Sequence, residues 1–301
     1  MKNFNDIYQK IYQENIHIEE NRKVYLKQSR QRTLIAIVIL TIITFIVLGS
    51  NLTFLLPFVI FSGIIILLIA STYKSKDYQK DYKGKIITSL VSTYDENLHF
   101  DLTQSISSSI YNKAEFEFYD RFHSNDYIYG KINGIIPIQL GDIHTENVHT
   151  DSDGHTTYTT VFRGLFSEIT LPKNLLSTIK IRSDKGMLGK LLSNKTQVEM
   201  DSQQFEKYFD VFTTDKILAV RILTSDIMNY MIDFKLQNKV TFELTIKNRS
   251  MYLRIHCDDM FEGKLSKSAL DFETLHKYYR FLNFMCELNE KIYNVIQEKD
   301  I

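Results

Sequence analysis

Hydrophobic side chains change their spacing along this chain, and each change marks a different kind of element. Over the first thirty or so residues, Phe4, Ile7, Tyr8, Ile11, Tyr12 and Ile18 recur at three- and four-residue steps with charges between them. That spacing predicts an amphipathic helix. From Thr33 to Tyr73 the alternation stops, and TLIAIVILTIITFIVLGSNLTFLLPFVIFSGIIILLIASTY holds no charged side chain. As helix it would run about 60 Å, roughly twice the thickness of a bilayer's hydrocarbon core. Gly49, Ser50 and Asn51 near its middle are turn formers. The window therefore predicts a helical hairpin, Thr33–Leu48 out and Thr53–Ala70 back. Pro57 is expected to kink the second helix, and Gly63 to let it approach the first. Helical spacing resumes after Lys74, through Tyr78, Tyr82, Ile86, Leu90 and Tyr94. Two helices emerging side by side can pair as a stalk, or the N-terminal one can pack on the domain that follows.

From Tyr127 the period becomes two. YIYGKI and IIPIQLGDIHTENV flank Asn133-Gly134, which reads as a hairpin closed by a type I′ turn. Asp151-Ser152-Asp153-Gly154 reads as a second turn with Gly154 left-handed, from which HTTYTTVFRGLF returns as a third antiparallel strand. Pro137 places a bulge or a sheet edge in the middle strand. TIKIRS, TQVEM and DVFTT read as short strands, and VTFELTI and MYLRIHC as a last hairpin around Lys247-Asn248-Arg249. Asp201 with Gln204 has the spacing of a capping box for QQFEKYF. Thr214 or Asp215 caps a helix through Arg221, and Thr224 or Ser225 caps SDIMNYMIDFKLQ. A closing helix sets Leu275, Tyr279, Leu282, Cys286 and Ile292 on one face. Strands mixed with helices without βαβ alternation predict an α+β fold: a transmembrane helical hairpin, then a domain with a mainly antiparallel sheet and flanking helices. The expected divisions are 1–32, a cytosolic helix; 33–73, the hairpin; and 74–301, the cytosolic domain.

Charge fixes the expected orientation. Arg22, Lys23, Lys27, Arg30 and Arg32 precede the apolar window, Lys74, Lys76, Lys80, Lys83 and Lys85 follow it, and the turn carries no positive residue. The positive-inside rule then puts both termini in the cytosol and the two-span hairpin in the inner membrane. A cleaved signal peptide fits poorly, because many charged residues precede the run and no A-x-A site follows it. The spans lack ionisable residues, as an anchor does and a channel does not. Lys plus Arg equals Asp plus Glu at 36 each, which argues against nucleic acid as a partner. The two cysteines, Cys257 and Cys286, lack paired spacing and read as free thiols of a reducing compartment.

The densest set of potential ligands is Asp142, His144, Glu146, His149, Asp151, Asp153 and His155. His149, Asp151 and His155 fall where a hairpin tip can bring them to one divalent metal, the one cofactor the pattern admits. The competing expectation is a solvated turn. Asp210, Asp215 and Arg221 can form an anion-binding corner; capping by Asp215 and an ion pair of Arg221 is the plainer alternative. Ser105, Ser107, Ser108 and Ser109 lack a G-x-S-x-G frame and read as a helix start. No Walker loop, dinucleotide fingerprint or H-E-x-x-H is present.

DYIYGKINGIIPIQLGDIHTE with VFRGLF, then FEKYFDVFTTDKILAVRILT with LTIKNRSMYLRIH, resemble the bacterial domain-of-unknown-function family numbered three-one-three-seven. The second stretch, with Phe205, Phe209, Val211, Thr214, Asp215, Ala219, Arg221, Leu223 and Thr224, is the more specific. The resemblance implies a membrane-anchored cytosolic protein, some of whose relatives are encoded near LemA-type membrane proteins, and implies no activity. Together these features predict a membrane-anchored interaction or scaffold module. Inner-face anionic lipids and another membrane or cytosolic protein, LemA-like for instance, are its expected partners. The rival expectations are a metal-dependent hydrolase using the hairpin histidines and an accessory subunit of a membrane complex.

Overall fold

The computed structural model describes residues 3–50, 52–183 and 197–298. The expected turn residue Asn51 and strand residue Thr196 lie outside them. The fold is α+β, with two long apolar helices ahead of an antiparallel sheet, and it divides into two compact units. Residues 1–90 and 262–275 form one, and residues 91–261 and 276–301 the other.

In the first unit, α1 (Phe4–Leu48) runs without a break from the amphipathic stretch into the apolar one. It kinks at Asn15, whose side-chain amide donates to the Ile11 carbonyl. After Gly49 and Ser50, a 3₁₀ turn (Thr53–Leu55) leads into α2 (Leu56–Ser71). Pro57 does not kink α2. It sits in the helix's first turn, where the missing N–H would have had no intrahelical partner. Gly63 does allow close approach, since a Cβ there would lie 3.3 Å from Leu40. Lys74, left-handed at φ 66°, separates α2 from α3 (Ser75–Tyr82), and a π-helical stretch (Lys83–Ile87) joins α3 to α4 (Thr88–Tyr94). The expected post-hairpin helix is thus interrupted by a π turn.

Of the two arrangements open for α1, its N-terminal half pairs with α3 and the turns that follow it. The Tyr25 hydroxyl donates to Asp81 at 2.8 Å, and the Ser89 hydroxyl donates to Glu14 at 2.9 Å. Phe4, Ile7, Ile11 and Ile18 are buried, as are Tyr78, Tyr82 and Ile86. Residues 262–275 strap this pair. Gln79 and the Gly263 backbone exchange hydrogen bonds in both directions, and Gly263 lies so near Tyr82 that a Cβ would sit 2.5 Å from the ring. Two of the flanking cations turn inward: Arg22 donates to Glu19 and the Leu265 carbonyl, and Lys83 pairs with Glu262.

The second unit holds a seven-stranded antiparallel sheet among the described residues, with β1 (Leu98–Asp101), β2 (Arg121–Ile132), β3 (Ile136–Thr150), β4 (Thr156–Ser183), β5 (Gln197–Val198), β6 (Phe209–Thr213) and β7 (Phe242–His256). The meander β2-β3-β4 is formed. Asn133 and Gly134 both have positive φ, as a type I′ turn requires, and Gly154 has φ +83°. β2 starts earlier than expected, at Arg121, because a bulge with left-handed Asp126 breaks the alternation before Tyr127. Pro137 lies beyond the end of the β3–β4 pairing, which begins at Ile138, so only β2 flanks it.

Two expected short elements are parts of long ones. TIKIRS is the end of β4, which continues through register shifts around Pro172. The expected last hairpin is the single strand β7: Asn248 takes a left-handed φ of 56° but the chain does not turn back, and β7 pairs with β4 from Arg182–Glu243 to Gly164–His256. β4 is therefore flanked along one edge by β7, and along the other by β3 and then β6.

Short helices α5 (Ser108–Lys113), α6 (Gln203–Glu206) and α7 (Lys216–Ile222) punctuate the strands, and α8 (Ser225–Asn238) and α9 (Phe272–Glu298) cover one face. Ser107 caps α5, Asp215 caps α7 and Thr224 caps α8, as the sequence suggests. Ser202, not Asp201, caps α6; N3 is then Phe205, so the expected capping box does not form, and Glu206 accepts the Met200 N–H instead. Phe234 stacks on Phe284 at 3.6 Å, with Phe242 at 5.1 Å from Phe284. Leu275, Tyr279, Leu282, Cys286 and Ile292 are all buried.

Candidate functional site

The hairpin tip is exposed. His149 lies opposite Thr157, two residues outside the turn. Asp151 does face His155, through the backbone: its N–H donates to the His155 carbonyl at 3.0 Å. Its side chain closes the turn, with Oδ1 accepting the N–H groups of Asp153 (3.0 Å) and His155 (2.8 Å). Further down the strands, His144 bonds the Thr160 hydroxyl, and Glu146 has His123, His144 and Arg121 within 4.0 Å. Among the described residues, no group of three His, Cys, Asp or Glu side chains is gathered as a metal site.

At the second suggested corner, Asp215 spends its carboxylate on the Leu218 N–H at 2.9 Å, and Asp210 accepts from the Gln197 side chain at 2.9 Å. Ser107 likewise caps α5. Of the cysteines, Cys286 is buried and Cys257 half-buried, and burial pushes both thiols up to about 12, far from the thiolate form at neutral pH.

The polar chemistry that sequence spacing missed lies on the sheet face away from α8 and α9. Alternation along β4 and β7 directs Phe162, Phe166, Arg182, Glu243, Tyr252 and Arg254 to that side, and the left-handed Asn248 resets the parity between Glu243 and Tyr252. Residues 106–119 cover part of it, their core being Ile106, Tyr111, Ala114 and Phe116 packed on Ile143, Phe162, Phe166 and Tyr252. Arg254 is the buried centre. Glu243 takes its Nε at 2.8 Å and also its Nη2, Glu117 and the Tyr111 hydroxyl meet its Nη1, and its guanidinium lies 4.3 Å from the Phe116 ring centre and 4.7 Å from that of Phe162. Burial works against that charge, but Glu243, Tyr111 and Glu117 together hold its pKa above the ordinary guanidinium value. Tyr111 is raised by burial.

Immediately beyond this network the same segment bounds a cavity of about 630 Å³, lined by residues 115–119 with Asn112 and Arg182. Left-handed Glu115 ends α5 and carries the chain over the opening. Its carboxylate bridges Lys247 and Lys180, which lower its pKa, the Lys247 hydrogen bond foremost. Tyr119 donates to Asn112 at 2.7 Å. Phe118, 98% exposed, stands at the rim. Arg182 is half-buried opposite Asp210 on β6 and Glu243 on β7, and its guanidinium makes no ion pair or hydrogen bond to any described residue.

A separate buried acid, Asp142 on β3, accepts the Met260 N–H at 3.1 Å. Burial pushes it up to about 7, the Met260 bond and Arg163 opposing and Asp259 and Asp126 adding to the rise.

Residues 160–293 match the model of a family described as a protein of unknown function, DUF3137. The match takes in VFRGLF and the whole second stretch on which the resemblance rests, and begins after Asp126–Glu146. No curated protein matches the chain. Among solved structures, the mycobacterial trehalose monomycolate transport factor A, TtfA, superposes with a TM-score of 0.31 at 8% identity, covering 71% of this chain and 94% of that one. A likeness that low carries no argument.

Proposed function

We propose, with the match of residues 160–293 to the model of the family of unknown function DUF3137 as its starting point, that this protein is a two-span membrane anchor bearing a cytosolic binding module. One observation carries the reading. The chain has two helices long and apolar enough to cross a membrane, and their apolar side chains point outward, Phe45 being 70% and Phe58 71% exposed. Hydrophobic surface left in water is disfavoured by about 25 cal/mol per Å², so a run of this length calls for a lipid environment. The basic flanks support a cytosolic location for both ends in an inner membrane. With Arg22 and Lys83 turned inward, the exposed cations Lys23, Lys27, Arg30, Arg32, Lys76, Lys80 and Lys85 remain to meet anionic headgroups, each contributing about 1 kcal/mol when held at the surface. Arg32 stacks on Tyr73 with its guanidinium 3.4 Å from the ring centre, an amphipathic pair suited to the membrane boundary. The module's role is to hold a ligand or a partner, a second membrane protein foremost, next to the bilayer.

Thiol labelling tests the anchor. Ser50→Cys at the turn should react with a membrane-impermeant maleimide in intact cells. Asp153→Cys at the exposed hairpin tip should react only in inverted vesicles. Release of the protein by alkaline carbonate, or labelling of Asp153→Cys from outside, would overturn the reading. Crosslinking in native membranes followed by mass spectrometry identifies the partner.

A further inference from the structure

Beyond the anchor, we infer that the cavity over β4 is a binding site for a small amphipathic monoanion, a carboxylate joined to an apolar body, with Arg182 as its fork. The inference stands on the sheet-bearing unit alone.

Side-chain pairing selects an anion. Of the carboxylates around the cavity, Glu115 is held by Lys180 and Lys247, and Glu117 and Glu243 by Arg254. Asp210, on the strand beside Arg182, is engaged by Gln197. Arg182 is the charged group of the lining left without an ion pair or hydrogen bond among the described residues. It is half-buried on a strand flanked by partners on both edges, so its backbone cannot readily swing it out to water. A guanidinium in that position presents planar paired donors, which a carboxylate meets two at a time.

The walls select the rest of the ligand. Phe116, Phe118 and Tyr119 supply ring surface, and a volume of about 630 Å³ falls in the range of small-molecule sites. A peptide would bring several backbone N–H and C=O groups that need partners. The lining offers few: both its glutamates are engaged, and the Asn112 side-chain Oδ1 accepts from the Tyr119 hydroxyl. A single anionic head with an apolar body leaves no such group unpaired. Two sources share this chemistry, an aromatic carboxylate from the cytosol and an acyl-chain carboxylate from the bilayer.

Calorimetry on the full chain in dodecyl maltoside tests the site with naphthalene-2-carboxylate, and with the uncharged naphthalene-2-methanol as its control. The carboxylate should bind saturably and at least tenfold more tightly than the alcohol. Arg182→Gln should erase that tenfold preference while leaving the alcohol unchanged. Phe118→Ala, at a side chain too exposed to support the fold, should weaken both probes alike. Dodecanoate presented in nanodiscs separates the sources: displacement of the naphthoate by it assigns the bilayer, and failure to displace assigns the cytosol. No saturable binding by either carboxylate, equal affinity for the alcohol, or an unchanged preference in an Arg182→Gln protein with wild-type circular dichroism would overturn the assignment.

Discussion

Replacing Asp142 with asparagine should stabilise the protein at alkaline pH and do little in acid. The carboxyl is buried on β3, close to Asp126 and Asp259, with Arg163 and the Met260 N–H in partial compensation. Burial pushes its pKa up to about 7, against about 3.9 in an unfolded chain. A rise of about three units corresponds to about 4 kcal/mol. The sign follows from which state holds the proton. Below about pH 4 both states are protonated and nothing is lost. Between about pH 4 and 7 unfolding releases the proton, so stability falls as pH rises, and above about 7 the folded chain carries a buried anion. Asparagine keeps an oxygen for the Met260 N–H and carries no charge. In urea unfolding of the full chain in detergent, followed by the circular dichroism of the sheet, Asp142→Asn should exceed wild type by about 4 kcal/mol at pH 8.5. The gap should shrink to about 1–2 kcal/mol at pH 5. An equal gap at both pH values, or a less stable variant at pH 8.5, would refute the reasoning.

Gly263→Ala forces a methyl group against the Tyr82 ring and should cost about 1–3 kcal/mol, seen as faster hydrogen exchange across residues 262–275. Arg254→Met strands buried Glu243 without its cation and should destabilise the second unit by about 3–5 kcal/mol, measured by the same urea titration. Pro57→Ala should shift the thermal midpoint negligibly, because the ring occupies a first-turn position. Purified protein should contain no stoichiometric zinc or manganese by elemental analysis, since Asp151 spends its carboxylate on its own turn; metal lost on joint His149→Ala and His155→Ala substitution would reverse that expectation.

Local chemistry made much of this structure legible in advance. An unbroken apolar run, the Asn133-Gly134 turn and the caps at Ser107, Asp215 and Thr224 each depend on neighbours within a few residues, and each formed as its residues suggest. What stayed hidden depends on distant pairing. Asn248 flanked by polar residues looks like a turn, yet the pairing of β7 with β4 holds it in one long strand. Pro172 looks like a terminator, yet β4 absorbs it in a bulge. The cavity was illegible for the same reason. Arg182, Glu243 and Arg254 are far apart in sequence, and only the register, reset by one left-handed residue, brings them to one face. The hairpin cluster is dense because its residues are adjacent in sequence, whereas Asp151 spends Oδ1 on its own turn.

The strap at 262–275 and the late strand β7 have a consequence for biosynthesis. The apolar hairpin leaves the ribosome early, but the helices beneath it wait for a stretch made some 170 residues afterwards to complete their core. The sheet likewise lacks the strand that flanks one edge of β4 until residues 242–256 are made. A message truncated before codon 242 lacks both β7 and the strap, so it yields two incomplete units, a substrate for quality-control proteases and not a shorter working protein.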